Sequence, residues 1–331
     1  MTKTYFGNIE GKDVFLYTLK NDKIRLSLTE YAAAVVGINA FGTEIGGGFE
    51  KAEDYLADKS NHGASVGRVA NRIDGCSFTM DGRTYSLPDN DKGATLHGGR
   101  GFSKRLWELS SADERSVVFR YFSPDGEEGF PADLEVYAKY SLTEYGFMID
   151  YTAIPSGKTP ISLTNHAYFN LDGFGGSVKE HKAIIYADRY TEINDRLLPT
   201  GERPRVDGTL FDFKELRSFA EMPKNTDGYD HNFLLSPTSF KCFGEKRLAL
   251  AAEMLGKEIK MTLYTDRPCV HLYTGNGLGN GPDYKGGIKQ TKHGAFCLET
   301  QTEPGGVKRG QDFYSPDGVY RHTSVYEFTK L

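Results

Sequence analysis

Five short segments of the chain carry more polar functional groups than strand formation requires. They are residues 67–73, 96–99, 165–171, 229–233 and 297–301. Together they supply carboxylates, imidazoles, guanidinium groups and amides, which can transfer protons and hold the hydroxyl groups of a small polar ligand. The segments therefore indicate acid–base chemistry on a hydroxylated small molecule.

One of these segments contains an imidazole that an extended backbone would turn into a cleft. If residues 165–171 are extended, His166, Tyr168 and Asn170 lie on one face, and the apolar residues between them lie on the other. The apolar face would pack on the core. The sequence thus predicts that His166 faces a polar cavity.

A second segment places a carboxylate in an otherwise apolar run. In an extended stretch over residues 295–301, Glu299 lies on the same side as Ala295 and Cys297, whose small side chains leave room beside it. A buried carboxylate without a partner is unfavourable, which favours a functional role. Together with His166, Glu299 would supply the base and acid for moving a proton between two oxygens of a small polyol.

Ordinary structural roles account for several other candidates. Arg72 could pair with a surface acid, His97 could shape the turn before two glycines, and Asp230 could cap a loop. The residues expected only to pack or to shape turns are His62, His181, His293, His322 and Trp107.

Other catalytic motifs are absent. The chain contains no GxSxG, GxxxxGK[ST] or HExxH pattern. The glycine-rich stretch at residues 275–287 lacks the strand-to-helix context of a dinucleotide site. A metal site built from His97, His166, His231 and Glu299 has no close ligand spacing to support it. We therefore expect neither a metal nor an organic cofactor.

Period-two alternation of apolar and polar residues dominates the chain and predicts antiparallel strands. It is clearest at residues 24–28 and 134–142, and Asp81-Gly82 between two short runs suits a type I′ hairpin turn. Helical periodicity is sparse, with residues 214–222 the best short candidate. The expected fold is an all-β, large antiparallel sandwich that forms a single domain over residues 1–331.

Composition narrows the class of protein further. The chain has 331 residues, a formal charge of −5 and no basic cluster, which argues against nucleic-acid binding. No apolar run approaches the ~20 residues that span a bilayer. The first eight residues lack the apolar core of a secretion signal, and the four scattered cysteines suggest reduced, buried thiols. We expect a cytoplasmic protein.

Taken in order, the five segments resemble the aldose 1-epimerase family, also called galactose mutarotases. The resemblance extends over nearly the whole chain and includes residues 101–107 and the closing segment at 322–328. It implies a large antiparallel β-sandwich, the galactose mutarotase-like supersandwich, with a sugar cleft and no cofactor. The implied reaction interconverts the α and β anomers of free hexoses such as galactose and glucose.

The resemblance also assigns roles to individual residues. By position, Glu299 matches the general base that deprotonates the anomeric hydroxyl, and His166 matches the general acid that protonates the ring oxygen. His97 matches a residue near these two oxygens. The residues that match positions holding the sugar hydroxyls are Asn71, Arg72 and Asp230.

Two departures from the family pattern are visible. His271 stands where family members often carry Gln, so its predicted sugar contact is the weakest of the set. After Glu299 the family commonly has Pro-Asp-Ala, whereas here Pro304 precedes two glycines. Neither departure touches the predicted acid or base.

For the implied reaction we expect a small-molecule aldohexose as the substrate and a monomer or homodimer as the protein. Three other functions remain open at this level. A hexose-6-phosphate 1-epimerase of the same fold would need cations, for which Arg68, Arg100 and Arg105 are candidates. A carbohydrate-binding or sensing protein would keep the cleft without chemistry. Glycoside hydrolysis would need two carboxyl groups, and only Glu299 and Asp230 are available.

Overall fold

The computed structural model describes residues 1–331 and is built almost entirely of antiparallel strands. The N-terminal sheet has the strand order Thr2–Ile9, Lys12–Lys20, Ile24–Thr29, Ala34–Ala40 and Thr43–Glu44. The large sheet has the order Glu108–Ala112, Ser116–Ser123, Leu134–Leu142, Gly146–Pro155, Tyr320–Lys330, Ile259–Thr265, Lys246–Leu255, Lys182–Ile185 and Arg217–Ser218, with Phe240–Phe243 also paired to Lys246–Leu255.

A third sheet, which we call the cavity sheet, has the strand order Tyr168–Phe169, Phe296–Gln301, Cys269–Tyr273, Asp230–Leu235 and Ala187–Tyr190. Four two-stranded ribbons complete the strands: Arg72–Asp74 with Ala94–Leu96, Ser77–Met80 with Arg83–Ser86, Thr159–Pro160 with Phe313–Tyr314, and Ser65–Val66 with Thr164–Asn165. The all-β antiparallel class predicted from the sequence is confirmed.

Local sequence explains why these elements form. In Leu134–Leu142 every second residue is buried and the residues between them are more exposed, as the alternation predicts for a strand with one core-facing side. The predicted hairpin also forms, because Asp81 and Gly82 adopt φ values of 51° and 76°, the left-handed conformations that a type I′ turn requires.

One apolar core joins the three sheets. A cluster of 50 buried apolar residues includes Leu26 from the N-terminal sheet, Val136 and Tyr326 from the large sheet, and Val270 and Leu298 from the cavity sheet. Because each sheet contributes one apolar face, its opposite face is available for polar side chains.

Two sequence predictions about local structure were wrong. Residues 214–222 form no helix; Arg217–Ser218 is instead a short strand paired with Lys182–Ile185, and Leu216 is exposed. Nine residues are too few for a stable isolated helix, so pairing with the sheet prevails. The thiols are unpaired as expected, but Cys242 is exposed and Cys76 is half-buried.

Helices are few and short. The α-helix Asp54–Ala57 is accompanied by the single 3₁₀ turns Phe102–Lys104, Glu127–Gly129, Lys285–Gly287 and Val307–Arg309. None of the helices has the length and apolar character that crossing a membrane would require.

Candidate active site

The cavity sheet has one apolar and one polar face because its strands alternate. In Phe296–Gln301, the residues Phe296 and Leu298 join the apolar core, whereas Glu299 points to the other side. Strand pairing places His271 directly opposite Glu299, and Tyr168 directly opposite Cys297. The polar face therefore brings together groups that are far apart in the sequence.

This polar face forms one wall of a cavity of about 310 Å³, within the ~300–1,000 Å³ typical of small-molecule sites. The cavity is also lined by the loop at residues 59–61 and by residues 71–72 and 96–97, at the ends of the ribbon of Arg72–Asp74 and Ala94–Leu96. The cavity is lined by all seven residues that the sequence predicted for the site: Asn71, Arg72, His97, His166, Asp230, His271 and Glu299. Larger surface cavities of about 700 and 950 Å³ have no histidine or buried carboxylate in their walls.

Glu299 and His166 form a close pair, which we call the acid–base pair. Glu299 Oε1 lies 3.7 Å from His166 Nε2, and the two side chains are 3% and 8% exposed. Glu299 Oε2 is buried and has no hydrogen-bond partner. A buried carboxylate oxygen without a donor is unfavourable, which favours a functional rather than a structural role for this carboxylate.

The thiol of Cys297 contacts the other nitrogen of His166. Its Sγ lies 3.4 Å from His166 Nδ1, and burial raises the pKa of Cys297 well above its usual value. The thiol therefore stays protonated, and its sulfur can donate to Nδ1 of a neutral ring or accept from Nδ1 of a protonated ring. In both cases Nε2 lies on the side of Glu299.

His97 is held as a neutral hydrogen-bond donor. Its pKa lies well below the usual value, first because of burial and then because His166, Arg72 and His271 surround it. The backbone N–H of Asn71 donates to Nδ1 at 3.3 Å, and the backbone N–H of His97 donates to the Asn71 carbonyl at 3.0 Å. Since Nδ1 accepts, the proton resides on Nε2.

Four residues form a continuous chain of polar contacts along the cavity, which we call the clamp: Asn71, His271, Asp230 and Arg72. Asn71 Nδ2 donates to His271 Nδ1 at 3.3 Å, and His271 Nε2 donates to Asp230 Oδ1 at 2.7 Å. Arg72 lies 3.9 Å from Asp230 Oδ2 and binds Asp91 at 2.6 Å.

The clamp holds Asp230 in its ionised form. Burial alone would raise the pKa of this carboxyl, but the hydrogen bond from His271 and the charge of Arg72 hold the pKa well below its usual range. An ionised carboxylate accepts hydrogen bonds only, while Arg72 and Asn71 supply donors. The clamp thus presents fixed donors and acceptors to a polyhydroxylated ligand.

Several lining residues were not predicted from the sequence: Lys59, Ser60, Asn61, Leu96, Tyr273 and Gly277. Tyr273 could have been found, because it lies two residues after His271 on one strand and so shares its face. The loop at residues 59–61 carries no sequence pattern. Tyr168 lines the cavity as predicted, whereas Asn170 binds the carbonyls of Gly176 and Gly294 instead.

The residues expected to be structural are buried away from the cavity. Trp107 belongs to the core, and His181 accepts a hydrogen bond from the backbone of Leu171. His293 binds the Thr274 carbonyl, and the remaining pairs are His62 with Asp58, and His322 with Thr300 and Ser324.

The fold brings three possible metal ligands together although the sequence spacing did not indicate it. Ligand atoms of His97, His166 and Glu299 all lie within 4.8 Å of one another. However, the hydrogen bond that Nδ1 of His97 accepts from Asn71 leaves an N–H, not a lone pair, on Nε2. His231 is turned to the backbone N–H of Asp230. These residues suit hydrogen bonding to a ligand better than metal coordination.

Comparisons with known proteins agree with this geometry. The family model described as aldose 1-epimerase matches residues 16–327. The galactose mutarotase of Rattus norvegicus is 36% identical, covering 99% of this chain and 98% of the relative. The aldose 1-epimerase of Escherichia coli K12 is 35% identical, covering 83% and 82%.

Solved structures show the same fold. A structure described as an aldose epimerase homologue from C. elegans superposes with a TM-score of 0.87 and 25% identity, covering 96% of this chain and 99% of that one. Galactose 1-epimerase from Lactobacillus acidophilus NCFM superposes with a TM-score of 0.87 and 24% identity, covering 99% and 98%.

Proposed function

The chain belongs to the aldose 1-epimerase family, and we propose that it interconverts the α and β anomers of free aldohexoses such as galactose and glucose by acid–base ring opening and closure. The observation that carries the proposal is the acid–base pair. Glu299 and His166 line one sugar-sized cavity, 3.7 Å apart, and no structural hydrogen bond accounts for the buried Oε2 of Glu299.

The separation of the pair suits this reaction for a chemical reason. In a pyranose, the anomeric hydroxyl oxygen O1 and the ring oxygen O5 are bonded to the same carbon. A base for O1 and an acid for O5 must therefore stand within a few ångströms of each other, as Glu299 and His166 do. Such assistance typically contributes ~10²–10⁴-fold to the rate.

Ring opening transfers two protons and breaks one bond. Glu299 accepts the proton of O1 as the C1–O1 bond becomes a carbonyl, the C1–O5 bond breaks, and His166, which enters this step protonated at both ring nitrogens, gives its Nε2 proton to O5. The aldehyde then rotates about C1–C2. On closure His166 takes the proton back from O5 as O5 attacks the other face of C1, and Glu299 returns its proton to O1, so the enzyme is regenerated without a cofactor.

The other site residues hold the sugar in this mechanism. His97 donates from Nε2 to the oxygens around C1, because its Nδ1 is engaged by Asn71 and its pKa is depressed. The clamp residues Asn71, Arg72 and Asp230 bind the remaining hydroxyls, with Asp230 as acceptor and the other two as donors. His271, whose two ring nitrogens are engaged by Asn71 and Asp230, holds these groups in place. Their fixed pattern would orient C1 toward the acid–base pair.

The three arginines predicted to bind the phosphate of a phosphorylated hexose do not line the cavity. Arg68 is 2% exposed, and its guanidinium binds Ser123, Pro124, Pro131 and Thr159. Neither Arg100 nor Arg105 lines the cavity, where Lys59 and Arg72 are the cationic residues.

Glycoside hydrolysis would require the opposite division of roles. Asp230, the only possible second carboxyl group, accepts a hydrogen bond from His271 and is kept ionised, so it could act only as nucleophile or base, and Glu299 would have to be the general acid. A binding or sensing protein would share the clamp but would have no need of an unpartnered Glu299 oxygen.

Polarimetry or NMR of freshly dissolved α-D-galactose and α-D-glucose tests the proposal. We expect equilibration well above the buffer rate and no competition by glucose 6-phosphate at concentrations where galactose competes. Equilibration at the buffer rate would reject the function, and sugar binding without exchange would favour the sensing alternative. Strong competition by glucose 6-phosphate would favour the phosphorylated substrate.

For the cellular setting, we propose a single-domain cytoplasmic enzyme of hexose and galactose metabolism that acts as a monomer or homodimer. Four unpaired cysteines support a reducing compartment. Cell fractionation and sedimentation velocity would test the location and the oligomeric state.

A further inference from the structure

Behind His166 stands a column of three stacked rings. The ring of Tyr168 lies 5.0 Å from that of His166 with an interplanar angle of 26°, and 4.1 Å from the ring of His62 with an angle of 23°. Tyr168 is therefore sandwiched between two imidazoles. Of the three, His62 is outside the cavity, while Tyr168 and His166 line it.

The outer end of the column is fixed by hydrogen bonds. His62 is 1% exposed; its Nδ1 lies 2.9 Å from Asp58 Oδ1 and its Nε2 lies 3.1 Å from the Tyr284 hydroxyl. Burial would raise the pKa of Asp58, but the contacts with His62 lower it to about 2. Bonds at both nitrogens leave the His62 ring one orientation.

The same carboxylate shapes a loop of the cavity wall. Asp58 accepts the backbone N–H groups of Ser60 at 3.0 Å and of His62 at 2.8 Å, and the Tyr168 hydroxyl donates to the Ser60 carbonyl at 3.1 Å. Tyr168 is thus held at its ring face by His62 and at its hydroxyl by the loop.

By contrast, the His166 ring has little holding it directly. The thiol of Cys297 is its one hydrogen-bond partner, and its Nε2 faces Glu299 at 3.7 Å. The rings of His97 and Tyr273 lie at steep angles to it, with centroid separations of 5.3 and 6.3 Å. A catalytic group needs an orientation fixed to ~10–20°. The stack on Tyr168 is the one near-parallel ring contact of His166.

We propose that Asp58 and His62, acting through the ring of Tyr168, are positioning residues that fix the plane of the His166 imidazole for proton transfer to the sugar. The proposal rests on the proposed function for the role of His166. It assigns a catalytic consequence to a buried Asp–His pair that never touches the substrate.

The test compares two substitutions of His62, which distinguish the contribution of its aromatic ring from the contribution of its hydrogen bonds. His62→Gln keeps a polar group for Asp58 but removes the ring that backs Tyr168. We expect kcat to fall on the order of 10- to 100-fold with KM nearly unchanged, because misplacing a catalytic group acts on the chemical step. His62→Phe retains a ring at this place but lacks the hydrogen bonds that orient it, so it should recover part of the lost kcat.

His181→Gln is the matched control. His181 is equally buried at 1% exposure and hydrogen-bonded, but it lies outside the cavity and the column. We expect it to keep kcat, whatever it does to thermal stability. If His62→Gln does not fold, Asp58→Asn replaces it, since the amide keeps the size and a backbone acceptor but loses the charge paired with His62.

A spectroscopic measurement tests the positioning directly. In protein labelled at histidine, the His166 ring protons should show an upfield ring-current shift from Tyr168, and this shift should diminish in His62→Gln and return toward the wild-type value in His62→Phe. His166→Gln identifies the signal by its loss.

The outcomes separate this proposal from the proposed function. A folded His62→Gln protein with wild-type kcat and unchanged His166 signals would overturn the positioning role. A rise in KM at constant kcat would also overturn it, since it would assign His62 to the binding loop alone. If the wild-type protein does not accelerate anomer exchange, the function fails, while the NMR shifts still decide whether His62 orients His166.

Discussion

The acid–base pair and the clamp, the two halves of the cavity, differ in how fully their polar groups are hydrogen-bonded to the protein. In the acid–base pair, Glu299 Oε2 has no partner and His166 meets Glu299 only at 3.7 Å. In the clamp, contacts continue from Asn71 through His271 to Asp230, and from Arg72 to Asp91. The side chains of Arg72 and Asp230 are 11% and 14% exposed, and those of His166 and Glu299 are 8% and 3% exposed, so a difference in exposure does not explain why the less exposed pair lacks partners.

The difference teaches which groups are free to change protonation. A carboxylate locked by two cationic or donor neighbours, like Asp230, keeps its charge and serves as an acceptor. A carboxylate left without donors, like Glu299, has a buried oxygen whose hydrogen-bonding capacity is unused. Substitutions in the two halves should therefore separate effects on kcat from effects on KM.

The largest effect is expected at Glu299. Glu299→Gln preserves the shape of the side chain but removes the base, so kcat should fall by ~10²–10⁴-fold while KM changes little. Polarimetry of α-D-galactose measures both constants. Glu108→Gln is the control, because Glu108 is an exposed carboxylate in a surface ion pair with Arg120.

Substantial activity in folded Glu299→Gln would refute the assignment of the base. It would also contradict the conclusion that the acid–base pair carries the chemistry while the clamp binds the sugar. Circular dichroism and thermal melting would establish that the variant is folded. Glu108→Gln should match the wild type in both constants.

The second effect concerns the pH dependence of stability on the clamp side. Burial lowers the pKa of His231, whose Nδ1 accepts the backbone N–H of Asp230, to about 4 from an ordinary 6.5. The folded state thus binds fewer protons than the unfolded state, so the contribution of His231 is complete above pH 6.5 and declines as the pH falls toward 4. Between pH 7 and pH 4 this contribution to the free energy of unfolding falls by about 3 kcal/mol.

Urea unfolding of the wild type and of His231→Gln at pH 7, 5 and 4 measures this contribution. The wild type should lose stability between pH 7 and 4, and the variant should lose about 3 kcal/mol less over the same interval. Parallel pH dependences for the two proteins would contradict a neutral, buried His231.

The sequence was sufficient to predict which residues line both halves of the cavity, but not how these residues contact one another. Alternation predicted that Glu299 and His166 face away from the core, since the period of a strand is set by local geometry. The contact between Asn71 and His271 spans 200 positions and follows from strand register and loop packing, which no local pattern encodes. Arg68 looked uncommitted for the same reason, because its partners at Ser123 and Thr159 come from distant strands.

Asp230→Asn should produce the third effect, an increase of about tenfold in KM with a smaller change in kcat. The substitution removes the charge that receives the His271 hydrogen bond and faces Arg72, and hydrogen bonds to charged groups contribute ~1.5–3 kcal/mol. Asp91→Asn, which alters the outer partner of Arg72, is the comparison. A kcat loss as large as that of Glu299→Gln, without a KM change, would mean that the two halves do not divide binding from chemistry.

The smallest effect is expected where the chain departs from the family pattern, at His271. Its Nδ1 accepts from Asn71 and its Nε2 donates to Asp230, and the amide of a glutamine offers the same acceptor and donor. His271→Gln should therefore change KM by less than about threefold, whereas His271→Leu, which breaks both contacts and leaves Asp230 short of a donor, should raise KM about tenfold. If KM rises equally in the two variants, the clamp needs the imidazole itself. If KM stays at the wild-type value in both, the contacts through position 271 do not help to hold the sugar.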